Sequence, residues 1–158
     1  MATKHKIVGV LGGMGPEATV DFMAKVIAAT PASKDQDHIR MLVDHNPSVP
    51  NRQAAILADG EDPGPALAAM AARLEAAGAE FLVIPCNTAY VFEDSIKVAV
   101  KIPLVSIIEV TIAEIGHRVP GAKKIGILAT DGCLAAGVYQ DALEARGLTP
   151  LVPESDEM

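Results

Sequence analysis

Lys6-Ile7-Val8-Gly9-Val10-Leu11-Gly12-Gly13-Met14-Gly15-Pro16-Glu17 is the stretch that decides the fold. Its first half is apolar at successive positions, so a strand there is buried on both faces, as strands of parallel sheets are. The glycines end it. Pro16 suits the first position of a helix, where its missing N–H costs nothing, and Glu17 suits the positive end of the helix dipole. A helix over 16–29 is expected, with Val20, Met23, Ala24 and Ile27 at helical spacing.

The same alternation continues along the chain. Strands are expected at 39–43, 81–84, 104–107 and 124–129. Helices are expected from about Gln53, then over 66–77 (stopped by Gly78), 89–100, 109–118 and 134–146. Strands alternating with helices of this length imply an α/β fold, a parallel sheet with flanking helices. The segment from Lys6 echoes the segment from Lys123, with Gly9 falling on Gly126 at an offset of 117. One reading is that buried parallel strands resemble each other. The sharper reading is a duplicated unit: a first α/β domain over 1–105 and the opening of a similar second one over 106–158. Pro153-Glu154-Ser155-Asp156-Glu157-Met158 is polar and offers no terminating element, so on this reading the second copy is cut short.

Composition narrows the function. The 158 residues are 50% apolar but only 3% aromatic, with no Trp, so the core is aliphatic. A net charge of −7 argues against a nucleic-acid partner. No apolar run approaches the roughly 20 residues of a membrane span, and the first is too short for a signal-peptide core. Two cysteines build neither a disulfide framework nor a zinc site, and free thiols fit a reducing cytoplasm. A cytoplasmic chain without membrane partners is expected.

Ligands of open parallel sheets bind beyond the carboxyl ends of the strands. Cys86, in Pro85-Cys86-Asn87-Thr88, sits at such an end, where backbone N–H groups and a following helix favour a thiolate able to act as nucleophile or base. A cysteine packed behind the sheet is the plain alternative. The Gly12–Gly15 turn offers N–H groups to an anion. It also matches the dinucleotide fingerprint loosely, but Pro16 removes a donor and the second strand lacks a well-placed acid about 20 residues on. Arg52 is a lone cation able to fork onto a carboxylate, or an ordinary solvated arginine. Cys133 lies at another helix start and is either a second crevice thiol or a small residue filling a turn. His5, His38, His45 and His117 lack ligand spacing.

Six motifs in order, Gly12-Gly-Met-Gly-Pro-Glu-Ala-Thr19, Asn46-Pro-x-x-Pro-x-Arg52, Gly60-Glu-Asp-Pro63, Pro85-Cys-Asn-Thr-Ala89, Ile102-Pro-Leu-Val-Ser-Ile-Ile-Glu109 and Gly126-Ile-Leu-Ala-Thr130, resemble the aspartate/glutamate racemase family over essentially the whole chain. The resemblance implies a racemase of a small acidic amino acid that needs no cofactor and no pyridoxal phosphate. It implies two similar domains with the active site between them, and a homodimer. Two cysteines on opposite faces of the substrate take and return the α-proton. Carried onto this chain, Cys86 is the first of them, Arg52 binds the carboxylate, Asn87 and Thr88 donate to it, and Met14 and Thr130 line the pocket. The family's second cysteine lies in a Gly-Cys-Thr-type motif, which the offset of 117 puts at about position 203. Tyr90 stands where the family commonly has His. Other readings are a related isomerase or decarboxylase with one thiolate, and a dicarboxylate-binding module without turnover. Aspartate and glutamate differ by one methylene and are not separated by these residues.

Overall fold

The computed structural model describes residues 5–153; the polar stretch 154–158 lies outside them. The element order is β1 (Val8–Gly12), α1 (Pro16–Ala29), β2 (Met41–His45), α2 (Arg52–Leu57), α3 (Gly64–Ala76), β3 (Phe81–Val83), α4 (Glu93–Ala99), α5 (Ile107–Arg118), β4 (Lys124–Gly126), α6 (Asp131–Ala135), α7 (Val138–Glu144) and β5 (Thr149–Leu151). Short 3₁₀ turns cover Asp35–Asp37 and Thr88–Phe92. The fold is α/β with parallel strands and flanking helices, as the alternation of patterns predicts.

β1 is the centre of the first sheet, in the order β2-β1-β3 and parallel to both neighbours. Val10 lies opposite Val43 on one side and Val83 on the other. All five residues of β1 are buried, which is why it reads as one unbroken apolar run. α3 packs over it through Leu67, Met70, Ala71 and Leu74. The approach is close at Gly9, where a methyl group would lie 2.7 Å from Leu82 Cδ2 and 2.9 Å from Ala79 Cβ.

The expected fourth strand is reduced to a single parallel bridge, Leu82 to Leu104. Leu82 N donates to Pro103 O and Val105 N donates to Leu82 O. The extended segment stops there because Ser106 caps α5, its Oγ accepting from Glu109 N at 3.3 Å. The helix therefore begins two residues before its expected start. β4 pairs with β5 in a separate two-stranded parallel sheet. β5 was not foreseen in the sequence. It contains Pro150, which removes a ladder donor and argues against a strand, yet a two-stranded sheet leaves every strand at an edge, where proline is tolerated.

Two helices depart from expectation. α1 has the expected bounds, but the stripe through Val20, Ala24 and Ile27 faces outward, with Val20 62% and Ile27 50% exposed. The inward face runs through Thr19, Phe22, Met23, Val26 and Thr30, also at helical spacing. Two threonines on that face disguise it. The single helix expected over 134–146 is two, α6 and α7, separated by Gly137 in the left-handed region at φ 69°.

The echo between Lys6 and Lys123 is not matched in packing. At Gly126 a methyl group meets nothing within 4 Å, whereas at Gly9 it meets three side chains. Gly9→Ala is therefore expected to cost about 1–3 kcal/mol through overpacking, and Gly126→Ala to stay within about 0.5 kcal/mol. Urea denaturation of the two variants checks this; equal losses would contradict the packing described.

Candidate active site

Cys86 follows β3 directly, so the pairing of β3 with β1 fixes where its sulfur emerges. Beyond Val83 the chain leaves the ladder at Ile84, which is buried, and turns through Pro85. The chain then winds as a 3₁₀ turn over Thr88–Phe92 before α4. The helical stretch behind Cys86 thus opens in the tighter winding rather than as the α-helix expected from Ala89. Tyr90 N closes this turn on Asn87 O at 3.1 Å.

Cys86 opens into a cavity of about 470 Å³. Met14 comes from the turn after β1, Cys86, Asn87 and Thr88 from the turn after β3, and Thr130 from the turn after β4. Five of the six residues singled out in the sequence therefore line one space. Ile125, Ile127 and Leu143 supply apolar wall, and Thr111 and Tyr139 supply hydroxyls that no motif marked. Tyr139 sits inside what reads as an ordinary helix; only the break at Gly137, which turns α7 toward the cavity, could have drawn attention to it. No charged side chain lines the cavity among the described residues.

Arg52 is not in the cavity wall. Its Nη1 donates to Val49 O and Pro50 O, at 3.1 and 2.9 Å, while its Nε is buried without a partner. Among the described residues it makes no salt bridge. A buried guanidinium N–H left unpaired is costly, and a carboxylate is the partner that relieves it best. The neighbouring Gln53 ties this loop to the cavity wall, its Oε1 accepting from Gly132 N between Thr130 and Cys133. Asn51 caps α2 by accepting from Gln53 N and Ala54 N.

The Gly12–Gly15 turn is less open to anions than its sequence suggests. Gly13 N already donates to Thr19 Oγ1 at 2.9 Å, and Pro16 has no N–H to give. Gly13 itself lies against the Asn46 backbone with φ 91°, a position only glycine fills without strain.

Cys133 shares the cavity with Cys86 but is only 2% exposed. Burial, with the nearby Cys86 as a smaller cause, pushes its thiol above the ordinary value, so it holds its proton at neutral pH. Tyr90 stands apart from this chemistry. It is 4% exposed, its hydroxyl donates to Val105 O at 2.9 Å, and burial raises its pKa. It pins the turn after Cys86 to the segment before α5 rather than facing the cavity. The four histidines build no metal centre: among the described residues no three His, Cys, Asp or Glu side chains are placed to hold an ion. No helix there is long and apolar enough to cross a membrane.

Thiol alkylation separates the two cysteines. At pH 8, iodoacetamide is expected to label Cys86, which is half-buried at the cavity, well before Cys133. Labelling of Cys133 should gain speed only at a pH above that of an ordinary cysteine, because a raised pKa lowers its thiolate fraction at any given pH. Peptide mass spectrometry resolves the sites; Cys133 reacting first would contradict the burial described.

Comparison with known proteins agrees with the geometry. Residues 11–158 match the family described as Asp/Glu/hydantoin racemase. The chain is 34% identical over 145 residues to the broad specificity amino-acid racemase RacX of Bacillus subtilis, a match covering 89% of this chain and 62% of that protein. Among solved structures, it is similar to the aspartate racemase of Picrophilus torridus, with TM-score 0.86 and 31% identity over 96% of this chain and 64% of that one. It is also similar to an aspartate racemase homologue from Pyrococcus horikoshii, with TM-score 0.78 and 28% identity, covering 96% and 66%. The chain thus spans just under two thirds of the length of these relatives. With its strand-end cysteine, its parallel sheet and a match over nearly its whole length, the chain belongs to the Asp/Glu/hydantoin racemase family.

Proposed function

We propose that the protein is an amino-acid racemase in which the Cys86 thiolate exchanges the α-proton of the substrate without a cofactor. The observation that carries the reading is the convergence of Cys86 with the donors Asn87, Thr88 and Thr130 on one cavity. An α-proton beside a carboxylate is weakly acidic, so its removal needs a base in contact and positive charge nearby. Asn87 and Thr88 hold the carboxylate beside the sulfur. Arg52, with an N–H to spare, turns toward the side-chain carboxylate of an acidic substrate. A second acid–base group on the opposite face completes inversion. Residues 1–105 and 106–158 act as two α/β units that meet at this cavity; support comes from their separate sheets and from the lining each contributes.

The substrate class follows in two forms. The resemblance favours aspartate or glutamate, with Arg52 as the cationic partner. The absence of charge in the described lining favours a neutral side chain, and the broad specificity in the name of the Bacillus subtilis relative points the same way. Relative kcat/KM for aspartate and for a neutral amino acid of similar size distinguishes them. A preference for aspartate that disappears in Arg52→Met supports the acidic form, with an expected loss of about 10- to 100-fold. A preference for the neutral substrate that Arg52→Met leaves intact supports the other.

In D₂O, the wild-type protein is expected to wash deuterium into the α-position of its substrate, and Cys86→Ala to slow this by at least about 100-fold. NMR loss of the α-proton signal measures it. Exchange at the wild-type rate in Cys86→Ala would remove the thiol from the reaction. Product forming from a dicarboxylate without interconversion of D and L forms would indicate the one-thiol isomerase or decarboxylase. Saturable binding without turnover would indicate the binding module.

A further inference from the structure

The phenol of Tyr139, on α7, donates to Asn87 Oδ1 at 2.7 Å, across 52 positions of sequence. Thr111, on α5, lies beside the same phenol and partly offsets the upward push that burial gives the Tyr139 pKa. All three residues line the Cys86 cavity. An amide oxygen only accepts, so the phenol spends its proton on Asn87 and the direction of the bond is set. Tyr139 donates to Asn87 Oδ1, and the amide is left with its NH₂ to present.

We propose that Tyr139 is a positioning residue of this site, fixing the Asn87 amide so that its NH₂ group, and not its carbonyl, meets the substrate carboxylate. Asn87 lies at the exposed mouth of the cavity, where a free amide would turn over between its two orientations. One of those sets a carbonyl oxygen against a carboxylate and repels it. Tyr139 removes that orientation from the population. The hydrogen bond also links the two sheets, because Asn87 follows β3 of the first while Tyr139 stands on the helix before β5 of the second.

The inference rests on the Cys86 cavity as the substrate site. Because Asn87 holds the carboxylate before and during proton transfer alike, its loss of orientation acts on KM and not on kcat. In the intact protein, Tyr139→Phe is expected to raise KM for the amino acid about three- to tenfold, the range of one neutral hydrogen bond, with kcat within about twofold of wild type. Asn87→Ala should raise KM at least as much, and the double variant should be no worse than Asn87→Ala alone, since Tyr139 acts only through Asn87. Effects that add in the double variant, or a fall in kcat at constant KM, overturn the proposal. Should Tyr139→Phe fail to fold, Asn87→Asp carries the test. Its carboxylate still accepts from the phenol but presents no N–H to the cavity, so KM rises by the same factor or more; an unchanged KM overturns the proposal. The two readings fail separately. Exchange surviving in Cys86→Ala sinks the reaction and the positioning role together. Exchange lost in Cys86→Ala with an unchanged KM in Tyr139→Phe sinks the positioning role alone.

Discussion

Everything at the cavity depends on how closely α3 lies on the first sheet. Gly9 has no side chain, so Leu74, Ala79 and Leu82 close over β1 at a distance that a methyl group would prevent. That contact holds β3 against β1. The end of β3 in turn sets the point from which Pro85, Cys86 and Asn87 leave the sheet. The same economy operates at the neighbouring turn. Thr19 takes the N–H of Gly13 and fills the space over Gly12, so the chain reaches Met14 at the edge of the cavity. Aliphatic packing and two side-chain-free positions thereby deliver polar groups to one place.

The first sheet was legible chiefly through its central strand β1, which obeys the strongest rule available, continuous burial on both faces. β1 is apolar at every position except glycine, and no helix pattern competes with it. Part of the cavity was legible for a related reason: Met14, Cys86, Asn87, Thr88 and Thr130 all follow strands, and strand ends are where an open parallel sheet binds ligands. Elements decided by contacts between distant parts of the chain were not legible. Thr19 and Thr30 are polar by type, yet they lie on the inward face of α1. Pro150 speaks against a strand until the edge position of β5 is known. Ser106 shortens the expected fourth strand by capping a helix that a strand pattern overlaps.

Tyr139 shows the same limit within the site. Nothing in its neighbourhood distinguishes it from any helical tyrosine. Its meaning comes from Asn87, which is remote in sequence and close only once both sheets are in place. Arg52 illustrates the converse. Its residue type marked it as a lone cation, but its position is decided by the carbonyls of its own loop, which hold it outside the cavity wall. Under the proposed function Arg52 turns when an anion arrives, exchanging two carbonyl partners for a charge-assisted one.

The most direct measurement is a crystal structure of the protein with its amino acid bound. The account predicts the α-carbon within about 3–3.5 Å of the Cys86 sulfur, in line for proton transfer. The carboxylate should lie on Asn87 and Thr88, and the Arg52 guanidinium should be released from Val49 and Pro50. An amino acid bound away from Cys86, or a sulfur sealed beneath the bound molecule with no path to its α-carbon, would contradict it.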